Sequence, residues 1–454
     1  MTTPDSTPVK VGLTTAASLV IASMVGTGIF TSVGFQVEYL DTPFALLTLW
    51  AVGGGLSLCG ALVYGELGAA LPRSGGEYHL ISTLYHPSLG FIVGWITATL
   101  GFAGPIALAA IAFGDYTVAV FPGLSSTHLA AGIVVLCSLI HGTSIKWGSR
   151  FQNLFTGLKV LLILVFVAAA LTVEPGHTIS VLPSVEGLTE VVSPGFAVSL
   201  VFVSYAYAGW NSAIYIVGEI RDPERNMPRA LLLGTALVTV LYVLLNFVFL
   251  YTVPAAEMAG QVEVGYLSGR VIFGDVGGQV MSLFISLLLV STVSAMVYLG
   301  PRVTQAMGED TPALRWLAVT NSRGIPVNSL LFQAALALAF IYTSTFDQVL
   351  IYAGFTLTLS MMLTVAGVFV LRWRFPEVER PYTTWGYPVT PLVFLAVNAW
   401  ILLYVFIDKP TESLIGLGIV GVGALLYLGS RWVIFDDPPP EEAPTEEAPA
   451  DAAP

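Results

Sequence analysis

Residues 21–34 read IASMVGTGIFTSVG. The stretch lies inside an uncharged apolar run, yet it holds three glycines (Gly26, Gly28, Gly34), two serines and two threonines. Glycine weakens a helix by backbone entropy and exposes its peptide groups. Hydrocarbon punishes unsatisfied peptide groups, so irregular backbone at membrane depth is tolerated only against packed protein or a cavity. The segment matters because everything around it is membrane-like. The chain has 454 residues, 55% hydrophobic and 10% charged, against roughly 25% charged in a soluble chain. Mean hydropathy is +0.81.

Apolar runs near 20 residues, the length of a transmembrane helix, recur from end to end. Twelve spans are expected, at about 12–37, 43–71, 88–113, 128–145, 152–173, 194–218, 229–253, 276–300, 328–343, 346–371, 388–407 and 413–434. Spans 9 and 10 are separated by little more than Asp347 and a few polar residues. Of the 17 Lys and Arg, fourteen fall on one side of this alternation, with only Arg270 and Lys409 opposite and Lys159 inside a span. The positive-inside rule then places both termini in the cytoplasm of a multi-pass protein of the cell (plasma or inner) membrane. The first run is too long for a cleavable signal peptide, and Lys10 is the only basic residue before it.

The net charge of −12 is concentrated at the end. Residues 436–454 hold seven acids and no base among Pro and Ala, which reads as a disordered acidic tail. Cys59 and Cys137 both fall in apolar runs, so neither a disulfide framework nor a zinc site is expected. The five histidines show no metal-ligand spacing. No cofactor and no nucleic acid is implied.

Span 6 contains a counterpart to the opening stretch. Its centre reads SYAYAGWNSA, from Ser204 to Ala213, about 180 residues after the first interruption. Each interrupted span is followed by four more, as two five-span repeats would be: about 12–173 and 194–372, with extra helices at about 388–434. A helix broken at mid-membrane offers free N–H groups at the start of one half-helix and free carbonyls at the end of the other, partners for a carboxylate and an ammonium. A zwitterionic amino acid carries both. Taken alone, Gly-x-Gly in span 1 fits close helix packing equally well; the matched pair favours a binding site.

Further motifs follow in order: MVGTGIF, ELGAALPRSGGEY (Glu66–Tyr78), HGTSIKWGSRFQNLFTGLK ahead of span 5, YAYAGWN, and GEIRDPERNMPRA. With them the chain resembles the amino acid–polyamine–organocation superfamily, closest to its L-type amino acid transporter branch, over about residues 10–435. The resemblance implies a 5+5 inverted-repeat fold of all-α membrane spans, with helices 1 and 6 broken and two spans added. It implies that a substrate carboxylate meets backbone amides of Val25, Gly26, Thr27, Gly28 and Ile29, centred on Thr27 and Gly28. The amino group would meet carbonyls around Tyr205, Ala206 and Ala208, with the Tyr205 ring closing the site from outside. Lys159 stands where sodium-driven cousins bind sodium, its ammonium bridging span 5 to span 1. That argues against sodium coupling and leaves exchange (antiport) or proton-linked uptake; the competing view is a lysine snorkelling to the surface.

Some positions depart from the family. Ser294 stands where span 8 usually carries Asn, and Gly308 where arginine is common. Animal members join a heavy subunit through a cysteine between spans 3 and 4; the loop FPGLSSTH has none, so no covalent partner is expected. Glu66 is expected in an ion pair with an arginine, and Glu219, beside Arg221 and Arg225, in an inner gate of ion pairs. Asp115 reads as structural, Trp210 as packing or a pocket wall, and Asn211 as a partner of freed backbone or of ligand.

The expected activity is amino acid permeation by alternating access, with neutral substrates favoured because no fixed acid stands in the expected pocket walls. A polyamine or cationic amino acid transporter is the alternative within the superfamily. An intramembrane enzyme would need a converging nucleophile and base, and no Ser/His pairing or His-x-x-x-His is present. A sensor would normally append a signalling domain, and only the acidic tail is appended.

Overall fold

Helix starts along the chain follow local capping chemistry. Thr42 accepts the Ala45 N–H at 3.2 Å with Pro43 at the first helical position. Ser193 accepts the Phe196 N–H at 3.2 Å ahead of Pro194. These side chains satisfy amides that a helix leaves unpaired in its first turn, and proline there loses nothing because its N–H would be orphaned anyway. Spans 9 and 10 are divided by only Ser344 and Thr345, and Thr345 with Gln348 forms a capping box that starts the second helix afresh.

The structure, a computed structural model, describes residues 10–433 apart from 74, 144–147, 175, 176 and 178. The acidic tail and Lys146 lie outside the described residues. Among those described, ten helices are long and apolar enough to cross a membrane, and two shorter apolar helices, Gly157–Ala170 and Val327–Thr343, fall where spans 5 and 9 are expected. The described residues form no β-sheet; one isolated parallel bridge joins Val11 to Ile220. This is an all-helical, multi-pass membrane protein.

Four spans depart from a plain helix. Span 1 consists of Leu13–Met24 and Gly28–Thr31 with residues 25–27 unwound between them. Span 6 runs as α-helix over Pro194–Tyr207, unwinds, and continues as a 3-10 helix over Ser212–Glu219. Span 3 carries a π-helical turn, Thr97–Ala103, ahead of Pro105. Proline lacks the N–H that the carbonyl four residues earlier would accept, and a widened turn accommodates the gap. Span 8 extends well beyond the expected 276–300: helix covers Val264–Asp310, kinked at Gly274, and Pro301 lies buried inside it.

Spans 1, 2, 6 and 7 share the core, with Trp50, Tyr207 and Tyr242 all fully buried at their meeting point. Phe35 at the end of span 1 lies stacked between Phe202 of span 6 and Phe346 of span 10, both at 5.7 Å. At the opposite face the Glu66 carboxylate, fully buried, accepts Arg372 Nε and Nη2 at 2.8 Å each and the Thr384 N–H at 2.7 Å. The Arg372 guanidinium also lies 3.6 Å over the Tyr387 ring. The ion pair expected for Glu66 is therefore formed, with a partner from the far end of span 10.

Candidate functional site at the two helix breaks

The two interruptions touch. A β-carbon added to Gly28 would stand 2.7 Å from Ala206 Cα, and one added to Gly209 would stand 2.7 Å from the Ser23 carbonyl oxygen. Real β-carbons do not approach so closely, so both contacts depend on glycine. Gly209 also has φ +104, a conformation that other residues rarely adopt.

The bonding at each break differs. In span 1, Val25 N–H reaches Ile21 O at 2.9 Å and Gly26 N–H turns back to Met24 O at 2.7 Å. The helix restarts at Gly28, whose first amides have no acceptor one turn earlier within that segment. Thr31 Oγ1 folds back on Thr27 O at 3.1 Å. In span 6, Ala208 N–H closes on Tyr205 O at 2.9 Å and Trp210 N–H on Tyr207 O at 3.3 Å. Trp210 stacks edge-on against Tyr64 at 4.7 Å.

One side chain serves both breaks. The buried Tyr242 hydroxyl of span 7 lies 2.6 Å from Met24 O and 3.1 Å from Ala206 O. A hydroxyl has one proton, so it donates mainly to the nearer carbonyl and leaves that of Ala206 with spare accepting capacity. Sequence reading passed over Tyr242 because nothing local distinguishes it: its partners lie 218 and 36 residues away.

Val25, Thr27, Gly28 and Ile29 are buried at the break, with Gly26 half-buried. Tyr205 and Ala206 are buried opposite them, and Ala208 is half-buried in the unwound segment. Lys159 is buried rather than snorkelling, and its Nζ donates to Thr292 Oγ1 at 2.8 Å. Its ammonium thus bridges span 5 to span 8, not directly to span 1 as expected. Span 1 is reached at one remove: a β-carbon added to Gly26 would stand 3.9 Å from the Thr292 methyl, with only the Met24 carbonyl oxygen nearer, at 3.7 Å.

Four other positions lie away from the breaks. Ser294 Oγ pairs with His141 Nε2 of span 4 at 2.8 Å, a Ser/His contact between distant helices that contradicts the expectation of none; the span 8 side chain at the break is Thr292, two residues earlier. Glu219 and Arg221 are exposed and form no ion pair among the described residues. Their backbones are engaged instead: Val11 N–H donates to Glu219 O at 2.8 Å, and Arg221 N–H donates to Val11 O at 2.9 Å. The expected gate of ion pairs is, in this structure, a two-bond main-chain clasp. Asp115 takes the structural part expected of it, accepting Ser126 Oγ at 2.5 Å between spans 3 and 4.

The amino acid permease family profile matches residues 11–424. The chain belongs to the amino acid permease family. Among its relatives are large neutral amino acids transporter small subunit 2 of Rattus norvegicus, 29% identical over 93% of this chain and 81% of its own length. Asc-type amino acid transporter 1 of Mus musculus is 26% identical over 93% of this chain and 81% of its own length. The b(0,+)-type amino acid transporter 1 of Homo sapiens is 28% identical over 88% of this chain and 83% of its own length. In this permease MVGTGIF and YAYAGWN lie at the two helix breaks.

Proposed function

We propose that this permease moves amino acids, neutral ones by preference, across the cell membrane by alternating access. It has twelve spans in a 5+5 inverted repeat plus two, with both termini cytoplasmic. The observation that carries the reading is the meeting of two interrupted helices at mid-bundle, Gly28 against Ala206 and Gly209 against Ser23. Amides of the span 1 break serve the substrate carboxylate, and the carbonyls of Tyr205, Ala206 and Ala208 serve its ammonium. The preference for neutral side chains rests on the absence of a carboxylate from these break residues and on the name of one relative, a large neutral amino acids transporter.

Lys159 takes the place of a coupling cation, so transport is sodium-independent and runs as exchange or as proton-linked uptake. The same relative is named a small subunit. Here both cysteines, Cys59 and Cys137, lie in helices and the loop 121–128 has none, so the permease works without a disulfide-linked partner.

Purified permease in liposomes, assayed with a panel of radiolabelled amino acids with and without internal substrate, tests the reading. Sodium-independent uptake of neutral amino acids is expected, and no flux of any amino acid refutes it. Lys159→Ala should cut flux at least tenfold while the protein still elutes as a folded species; unchanged flux would make the lysine structural.

A further inference from the structure

Two buried carboxylates stand eleven positions apart, Glu66 and Glu77, and they are held in opposite ways. Glu66 is locked to a guanidinium. Glu77, on the short helix Gly76–Leu84 between spans 2 and 3, is only 4% exposed and has no ion-pair partner among the described residues. Its partners are three neutral donors. Tyr64 of span 2 donates to Oε1 at 3.0 Å, Asn211 donates to the same oxygen, and the Tyr215 hydroxyl donates to Oε2. The Tyr215 ring lies against Gly76, where an added β-carbon would stand 2.2 Å from it.

The placement is informative. Asn211 and Tyr215 belong to span 6 just past its break, and Tyr64 stacks on Trp210 in that break. One acid therefore ties the half of span 6 beyond the break to the span 2–3 hairpin. Opening a buried ion pair leaves two charges to be resolvated, the acid and the cation. With neutral donors only the carboxylate has to be taken up by water, and the donors can leave it one at a time, so such a tie is the easier of the two to make and release repeatedly.

We propose that Glu77 is a positioning residue of the transport cycle, a releasable catch that holds the second half of span 6 closed on the cytoplasmic side. The proposal rests on the alternating-access reading. With the catch made, the cytoplasmic path beside span 6 is shut; with it broken, Asn211 and Tyr215 swing from the hairpin and the path opens. Weakening it shifts the population towards the cytoplasm-open form and lowers apparent affinity from the other side by the fraction lost.

The test reads the position of span 6 directly. Ser212 has a buried hydroxyl without a hydrogen-bond partner, so Ser212→Cys makes a mild reporter in a Cys59→Ser, Cys137→Ser background. Labelling by a membrane-impermeant thiol reagent is followed from the Arg221 face in inside-out vesicles, per unit of folded protein. Glu77→Gln, which keeps the shape but meets Tyr215 with a neutral amide, should raise the labelling rate at least fivefold and raise the KM for external substrate more than it lowers kcat. Tyr215→Phe, which leaves the acid in place, should raise labelling at least twofold and serves if the first variant does not fold. Labelling within twofold of the parent in Glu77→Gln, or no rise in Tyr215→Phe, overturns the catch. Loss of all flux in the parent protein would instead refute the transport reading, because labelling reports helix position whether or not an amino acid moves.

Discussion

Span 1 and span 6 are both cut by glycine, but the cuts are of different kinds. Span 1 loses three residues of helix and resumes as α-helix at Gly28, with no positive φ at the break. Span 6 turns through Gly209 at φ +104 and resumes as a tighter 3-10 helix, itself irregular at Ile216. The first cut is supported from spans 7 and 8, by Tyr242 on Met24 O and by Thr292 beside Gly26. The second shares Tyr242 through Ala206 O, and the segment beyond it is held to the span 2–3 hairpin through Glu77 and to Val11 through the main-chain clasp. The first break is thus supported from spans 7 and 8, whereas the segment after the second is tied to the span 2–3 hairpin by side chains and to the start of span 1 by main chain.

The sharpest way to break this comparison is at its two glycines of close approach. Gly209→Ala combines a positive-φ strain of ~1–3 kcal/mol with a backbone clash, and flux should fall more than a hundredfold in the uptake assay. Gly28→Ala has the clash alone and should fall less; a larger loss at Gly28 would reverse the ranking of the two breaks. Next is Tyr242→Phe, which removes the shared donor and leaves buried carbonyls at Met24 and Ala206 short of a partner, about 1–3 kcal/mol by analogy with other unmade bonds. Uptake should drop roughly tenfold with thermal stability lowered, since 1.4 kcal/mol is a factor of ten.

A smaller effect separates the supports. The Tyr78 hydroxyl, on the same helix as Glu77, donates to Asp310 at 2.9 Å. Burial, with Asp310 beside it, pushes its pKa from 10.0 up to about 12. The folded value is raised, so the hydroxyl's contribution is complete below pH 10 and is lost as pH rises through about 12. The difference in Tm between parent and Tyr78→Phe should stay constant from pH 6 to 9 and shrink above 10. Smallest of all is Gly26→Ala, where an added β-carbon meets nothing closer than 3.7 Å. Flux within twofold is expected, and a severe loss would show that Gly26 faces substrate.

Much of the architecture was legible because it is written locally. Span positions follow from apolar run length, and both breaks from glycine and small residues clustered at mid-span. Glu66 was readable as half of an ion pair, since a carboxylate inside a membrane helix needs a cation. What the sequence concealed is pairing across the bundle. Tyr242, Glu77 and Thr292 look ordinary in their own helices and acquire their roles from partners on other spans. Ser294 and Thr292 differ by two positions, which on a helix is about 200° of rotation, so a family position shifted by that much points to another neighbour. Glu219 and Arg221 carry opposite charges at a helix end, but solvent surrounds them and their main chains do the joining.

The clamp between Glu66 and Arg372 also has a consequence for the making of the protein. Its two residues are 306 positions apart. At a synthesis rate of 5–20 residues per second, the acid of span 2 emerges about 15–60 s before its arginine exists. Span 2 therefore enters the membrane with a carboxylate whose cation does not yet exist, while most of the chain between them is still to be made. A nascent chain halted before Arg372 carries Glu66 without its guanidinium, so the surroundings of span 2 are completed only when the helix Phe346–Arg374 is made.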